Sequence, residues 1–535
     1  MTRRSPSPLR IAAVAALALG AAALAGATEP ARAIPTPTLP RTLGAFPGCE
    51  GSGCETRGGF HARAGRPTIY RITSLSDAAR RCVPARGKAT GCSLRDCIEA
   101  SGPRVCVFAV AGAIHTRGYT VRHPYLTIRG DSAPGMGIQL DADGTQLGGP
   151  EKTLLWIRTH DVVVRGLRLR VGVQTREDNH PFLVYPGAPT DDLHHVVIDH
   201  CSMSWANDDL GSIWTGPETR APPAAAPRES VLSFDVFAEG LRKPGTNNSR
   251  GPLIGADTPG RTAYADQMVN IDLHHNLFAN NDQRNPNLRH ASVRVVNNVL
   301  LNWGSWGIQL WGGIRADVVS NLGKPGPSTQ ATRQGFIGVG YVSPTAAARG
   351  RQSVYLSGNR FAGGPVLGWD SPILTSDSGP VERRPDPLPP PRTGPPIMPE
   401  RADDLVGSVL GPGGAGASRR LDCGGRWVTM GVRDAADRRV IGSWDEPPPR
   451  FSWPITAADV GGFPRIEPIA SRPACPSSSR DNSACACADA DGDGIPDYWE
   501  RAFCGSPTGC DPLTPSVAPP WTNLEAYLSG LAEAP

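Results

Sequence analysis

From about residue 105 the chain keeps repeating one pattern: a few β-branched residues, then Asn or Gly, then a turn or an insertion. The runs are YLTIRG, DVVVRGLRLRVG, HVVIDHCSMSW, ESVLSFDVF, VNIDLHHNLF, SVRVVNNVLLNW, ADVVSNLG and QSVYLSGNRF. With Ile128, Val163, Val197, Ser233, Asp272, Arg294, Val318 and Tyr355 as centres, the intervals are 35, 34, 36, 39, 22, 24 and 37 residues. The two shortest match single coils of a parallel β-solenoid, and the others are a coil plus a loop. Asn276, Asn298, Asn321 and Asn359 close their strands at matching places. Stacked, their amides would bond from coil to coil and satisfy the backbone at the bends. Sandwiches and propellers also have short strands, but not strands that end on Asn at one-coil spacing. The reading is all-β: a right-handed parallel β-helix.

Composition agrees. Gly 62 and Pro 54 favour turns and short strands over long helices, and a net charge of +4 is small for 535 residues. Bulk electrostatics therefore exclude a general nucleic-acid binder, and an anionic partner must be met at a local site. The first residues read as a secretory signal over 1–33. Arg3, Arg4 and Arg10 precede the apolar run IAAVAALALGAAALAGA, and Ala31-Arg32-Ala33 offers a small-x-small cleavage site. That run is short for a membrane anchor. The expected product is extracellular, a compartment that permits disulfides. Of thirteen cysteines, eleven cluster at the two ends, while Cys201 stands alone in a strand-like run and reads as a buried free thiol.

The expected layout is a β-helix over 34–375, a Pro-rich linker or surface strap over 376–401, an extension packing on the β-helix over 402–474, and a cysteine-stapled tail over 475–535. The tail carries DADGDGIPDYWE, which fits D-x-D-x-D-G-x5-E. Asp489, Asp491 and Asp493 would give carboxylates, Gly494 the sharp turn, Ile495 a backbone carbonyl, Asp497 the ninth position and Glu500 a bidentate twelfth. The expected occupant is Ca2+, and the expected role is stabilisation rather than signalling.

Several stretches together resemble the bacterial pectate lyases of polysaccharide lyase family 1. They are AFPGCEGSGCETRGG (45–59), SLRDCIEASGPRVCVFAVAGAI (93–114), LTIRGDSAPGMGI (126–138), VVVRGLRLRVG (162–172), VVIDHCSMSWANDD (196–209), HHNLFANNDQRNPNL (274–288) and VVNNVLLNWG (295–304). RDAADRRVIGSW, VGGFPRIEP and TNLEAYLSG resemble that family's tail. The resemblance runs in one order from about residue 43 to 530 and implies the same β-helix. It also implies roles. An Arg-x-Pro-x-x-Arg element would make Arg284 the base that takes the sugar C5 proton, and Arg289 a grip on a uronate carboxylate. Arg250, in SRGPLIG, stands where the family has a substrate-binding lysine. Asp208 and Asp209 stand among the ligands of a catalytic calcium, but His180 falls near the place of a third carboxylate, with Asp178 two residues away. His274 and His275 read as hydrogen-bonded strand histidines.

The implied enzyme is a secreted, monomeric lyase acting on polygalacturonate, an acidic polysaccharide, by calcium-assisted β-elimination. It would need neither nucleic acid nor membrane. Three rivals share the fold: a polygalacturonase-type hydrolase, a pectin lyase acting on methyl esters, and an inert solenoid that only binds acidic glycan.

Overall fold

A computed structural model describes residues 43–532 except for short internal stretches, the longest being 216–225, 257–266, 342–351 and 470–486. The expected signal over 1–33, together with Cys475 and Cys485, lies outside the described residues. Three parallel sheets, of 12, 9 and 9 described strands, lie between Thr68 and Arg383, their strands stacked in coil order apart from the first two of the largest sheet. This is a parallel β-helix, right-handed as crossovers between parallel strands are.

The interior is built from the repeated β-branched runs. On the first sheet, Ile128, Val164, Ile198, Leu232, Leu273, Val295 and Val318 lie in consecutive register, all buried. Each such side chain contributes roughly 1.5–3 kcal/mol on leaving water. The outward-facing Val163, Val197 and Val231 are also buried, because residues 45–54 lie across them with Phe46 and the Cys49–Cys54 disulfide. That explains the N-terminal signature: it is a cover for the first sheet. Cys82–Cys92, Cys97–Cys106 and Cys504–Cys510 are the other disulfides with both partners described, and Cys201 is a buried free thiol.

The expected asparagine ladder forms. The backbone N–H of Asn276 donates to the side-chain oxygen of Asn298, Asn298 to Asn321, and Asn321 to Asn359, at 2.9–3.0 Å. It has a member that sequence reading missed. The N–H of Asp235 donates to Asn276 Oδ1 at 2.9 Å, and Asp235 Oδ1 accepts the N–H of Cys201 at 2.7 Å. Asp235 thus holds an asparagine's place while its Oδ2 is buried without a hydrogen-bond partner. Burial, reinforced by Asp199, raises its pKa well above the carboxylate range. A raised folded pKa means the unfolded chain releases its proton first, so stability falls as pH rises above about 4. Asp235→Asn should remove that penalty. Its melting temperature should exceed wild type by a margin that widens from pH 5 to pH 9, worth about 1–3 kcal/mol. Parallel pH profiles for the two proteins would contradict a neutral Asp235 in the ladder.

The C-terminal elements dress the coils. In residues 376–401, Val381–Arg383 pairs as the last strand of the first sheet. Beyond it the segment straps that sheet: Leu388 N–H donates to Asp317, Asn297 Nδ2 to the Met398 carbonyl, and Glu400 meets His275 Nε2 at 2.8 Å. The helix Ala435–Gly442 docks through Asp434 and Asp437, both 2.8 Å from the fully buried Arg170 guanidinium. The helix Asn523–Ser529 packs with Trp499 and Ile495 over Val105 and Val107 of the first coils. Among the described residues no helix is long and apolar enough to cross a membrane.

Candidate active site and calcium loop

Each coil turns from the second sheet to the third at one corner, and the predicted site residues converge there. Asp208 and Asp209 precede the strand Ser212–Thr215, Arg250 precedes Leu253–Ala256, and Arg284 precedes Asn287–Arg289. Asp209, Arg250 and Gln283 form successive parallel bridges, so these loops stack like rungs. Glycine sets how closely. A Cβ on Gly251 would meet the Arg284 carbonyl oxygen at 1.9 Å, and one on Gly255 would meet that of Arg289 at 1.7 Å. The glycine of the Leu-Ile-Gly frame is there for that approach.

The charges interlock. Arg284 Nη1 donates to Asp209 Oδ1 at 2.6 Å, and its backbone N–H to Gln309 Oε1 at 2.9 Å. Arg250 Nη1 donates to Asp208 Oδ1. Burial, with the Arg284 charge second, pushes Arg250 down to about 10. Arg289 closes the strand, its guanidinium carbon 4.7 Å from the centre of the Trp311 ring. His180 opens the strand His180–Val184 on the preceding coil. Its Nδ1 lies 3.4 Å from the Asp209 carbonyl oxygen and its Nε2 3.9 Å from Asp208 Oδ2. Burial lowers its pKa, so the neutral imidazole is favoured. A reciprocal pair of amides holds both loops: Asn179 N–H donates to Asn207 Oδ1 and Asn207 N–H to Asn179 Oδ1, at 3.0 and 2.8 Å. Asp178 points elsewhere, onto Lys243.

Sequence reading expected Arg250, Arg284, Arg289, Asp208 and Asp209 in one site; Arg250, Arg284, Asp208 and Asp209 meet at this corner, and Arg289 ends the strand that leaves it. That reading missed Gln309, Trp311 and the Asn179–Asn207 pair, none of which carries a spacing signal. His274 and His275 are elsewhere, at the corner between the first and second sheets, where His275 stacks on Phe234 at 4.6 Å and meets Glu400. Toward the N-terminus the third sheet carries a cavity of about 540 Å³ lined by Arg95, Arg117, Lys152, Tyr119 and Trp156. The Lys152 carbonyl accepts the backbone N–H of His180, so the cavity adjoins the site.

The donor set at this corner does not fit a calcium shell. Calcium takes 6–8 oxygens, whereas the cluster offers two carboxylates and one imidazole, with both carboxylates already on arginines. His180, near the place where the resemblance expected a third carboxylate, offers a nitrogen instead.

The tail loop offers more carboxylate oxygens, although its acids too meet cations. Asp489, Asp491 and Asp493 can present oxygens within 4.8 Å of one another. Asp491 Oδ1, Asp493 Oδ2 and Glu500 Oε2 are buried with no hydrogen-bond partner. Lys88 Nζ stands 2.7 Å from Asp491 and 3.5 Å from Asp493, and Arg71 Nε 2.8 Å from Asp489. Burial first, then mutual repulsion, raises Asp493 to about 7 and Glu500 to about 8. Gly492 and Gly494 have positive φ, as the tight turn needs. Asp497 begins the helix that carries Glu500 and accepts the Ala490 N–H at 2.7 Å. Orphaned oxygens from three of the predicted positions, all carboxylate, fit a calcium ion.

No family model matches the chain. It is 29% identical over 294 residues to a probable pectate lyase C of Neosartorya fischeri, covering 54% of this chain and 56% of that protein. A probable pectate lyase C of Aspergillus terreus is 28% identical over 312 residues, covering 56% and 61%. The chain spans about half the length of the curated relatives it matches. These relatives are fungal, where the motifs resemble the bacterial branch. Among solved structures, the major cedar-pollen allergen Jun a 1 aligns with a TM-score of 0.45 at 16% identity, over 67% of this chain and 90% of that one. A pectate lyase bound to a hexasaccharide aligns with a TM-score of 0.42 at 13% identity, over 68% and 95%.

Proposed function

We propose that this chain is a secreted lyase that cleaves de-esterified polygalacturonate by β-elimination. The observation that carries the reading is the set of three guanidiniums on adjoining coils, Arg250 and Arg284 at one corner and Arg289 at the end of the strand that leaves it, in a chain related to named pectate lyases. Guanidinium forks match carboxylates bidentately, and a polyuronate presents one carboxylate per sugar. Arg250 and Arg289 grip two of them. Arg284 takes the C5 proton, the electron pair forms the C4–C5 double bond, and the C4–O bond breaks with the leaving oxygen taking up a proton. Guanidinium holds its proton tightly, so the reaction runs faster above neutral pH. Burial first, then the charges of Arg284 and Arg289, weaken the hold of Arg250 on its proton.

A hydrolase reading is less well supported. It needs a protonated carboxylic acid beside the glycosidic oxygen, and Asp208 and Asp209 each sit against a guanidinium. Digestion of polygalacturonate, followed by ultraviolet absorbance of unsaturated uronide across pH 6–10, tests the proposal. Rising absorbance with pH is expected. Saturated ends alone would indicate hydrolysis, and retention without product an inert binder.

Calcium belongs in this reading at the tail loop, where Asp489, Asp491, Asp493, Glu500 and the Ile495 carbonyl would hold it. There the ion stabilises the fold and takes no part in elimination.

A further inference from the structure

We infer that the corner where the third sheet turns into the first is a site for a divalent transition ion of the zinc class, held by one nitrogen each of His194 and His195 and a carboxylate oxygen of Glu229. This site shares no residue with the proposed active site or the tail loop. Coil register brings its members together. His194 opens the strand His194–Asp199 and lies in register with Arg228, which opens Arg228–Ser233 on the next coil. His195 and Glu229 are the next residues along those strands, and ligand atoms of His194, His195 and Glu229 lie within 4.8 Å of one another.

Counting ring protons shows what the cluster lacks. His194 Nδ1 and His195 Nδ1 are 2.7 Å apart, a contact that takes one proton. Outward, His194 Nε2 faces Asp192 at 3.4 Å, while His195 Nε2 faces Glu55 at 3.2 Å and Glu229 at 3.4 Å. Ionised carboxylates only accept, so each Nε2 needs a proton as well. Three protons are called for, and two neutral imidazoles carry two. The cluster is short of one cation. A third proton is opposed, because burial first, then His195, holds His194 below the ordinary histidine range. An ion between the rings removes the shortfall: each imidazole keeps its single proton on Nε2 and donates it outward to a carboxylate. That is the usual outer shell of a metal-bound histidine. Glu229 is then the carboxylate free to turn onto the ion, since Glu55 makes the hydrogen bond to His195 Nε2. Bonds of about 2.0–2.1 Å ask the two Nδ1 atoms to part by roughly half an ångström. Two nitrogens with one carboxylate suit zinc, whereas calcium prefers oxygen throughout. The other group around His194 is engaged internally: His160 Nδ1 meets Asp161 Oδ2 at 2.7 Å, and Thr56 donates to Asp161 Oδ1. Glu55 ends the turn Ser52–Glu55 of the N-terminal cover, so the ion's outer shell also ties that cover to the coils.

The test uses the full mature protein, stripped with chelator and then held in excess calcium so that oxygen-only sites are filled. Zn2+ binding is followed by titration calorimetry and Co2+ binding by visible absorption. His195→Asn is the first variant, because asparagine accepts the left-handed backbone of this position, φ 52°. Glu229→Gln is the second, keeping the shape of the side chain and removing its charge. Wild type should bind one equivalent of Zn2+ that His195→Asn lacks and that Glu229→Gln holds at least about tenfold more weakly. Zn2+ should also raise the melting temperature of wild type more than that of either variant. Residues elsewhere that take up the ion contribute equally to all three proteins and cancel. Zn2+ uptake by either folded variant equal to that of wild type, or a Co2+ spectrum unchanged in His195→Asn, would overturn the inference. If His195→Asn melts early, Glu229→Gln against wild type decides it. Uptake is measured without substrate, so a lack of unsaturated product leaves the metal result standing.

Discussion

Arg284→Lys is expected to lower turnover of polygalacturonate by about 10²–10⁴-fold, the usual contribution of a positioned acid or base, with little change in melting temperature or pectate retention. The direction is informative because lysine is the weaker acid-holder of the two: its ordinary pKa is about 10.4, against 12.5 or more for arginine. If ready loss of the side chain's own proton were all that mattered, lysine would serve as well or better. What lysine lacks is the fork. In the wild type one arm of Arg284 rests on Asp209 at 2.6 Å while the backbone is tied to Gln309, which leaves the other arm to address the C5 hydrogen. An ammonium is a single point and cannot do both. The loss should therefore appear in turnover, because the contact is made to the reacting bond. Arg289→Ala should behave differently. In the proposed role its guanidinium would grip a carboxylate in substrate and transition state alike, so the Michaelis constant should rise and kcat/KM fall by about 10–100-fold, as for a lost charged hydrogen bond. An Arg284→Lys enzyme within about threefold of wild type, far short of that range, would move the base elsewhere. Arg250 would then be the candidate, since burial already holds it near 10. His275 would not, because it lies at another corner against Glu400.

The residues of the corner were legible through the family resemblance, and the period of the coils explains why they meet. In a coil each residue position recurs at the same place around the axis, so strand centres spaced by one coil fix which loops share a corner. Arg250, Arg284 and the Asp208–Asp209 pair follow the second-sheet strand of their own coils, and the stacked bridges bring them together. The asparagine ladder was readable for the same reason. What failed was anything set by chemistry rather than period. Asp235 occupies a ladder place but is spelled as an acid, and only its burial shows that it behaves as a neutral one. His180 stood in line as a departure from a pattern. Its meaning, a nitrogen facing Asp208 across 3.9 Å, needs coordinates. Residues 376–401 looked like a linker because prolines exclude ladder hydrogen bonds. Yet Val381–Arg383 pairs at the exposed end of the sheet, where a strand bonds on one side only. The tail loop was the reverse case, since its ligand spacing is local and needs no fold to be read.

Removal of calcium from the tail loop is the second large effect expected, and its pH dependence separates a bound ion from a merely acidic turn. Without calcium, Asp493 and Glu500 are raised to about 7 and about 8, because burial and neighbouring carboxylates disfavour their charge. Their unfolded values lie near 4, so between pH 4 and pH 8 the folded protein binds more protons than the unfolded chain. Stability of the calcium-free protein must then fall as pH rises through that window. Lys88 and Arg71 offset part of the repulsion but leave three carboxylate oxygens without a hydrogen-bond partner. Calcium binds the ionised groups and inverts the slope, so its stabilising effect should be near zero at pH 5 and largest at pH 8. An extracellular loop of this kind binds with Kd of about 10⁻⁴–10⁻³ M. Calcium at about 100 times Kd then adds about 2.7 kcal/mol. Melting curves with calcium and with chelator at pH 5, 6.5 and 8 measure it. The tail covers Val105 and Val107 of the first coils, so protease cleavage near the tail should slow in parallel. Glu500→Gln removes one ligand charge while keeping its shape, and should abolish most of the calcium response at pH 8 while leaving elimination at low temperature unchanged. A calcium shift equal at all three pH values, or equal in wild type and Glu500→Gln, would mean that the ion binds somewhere other than this loop.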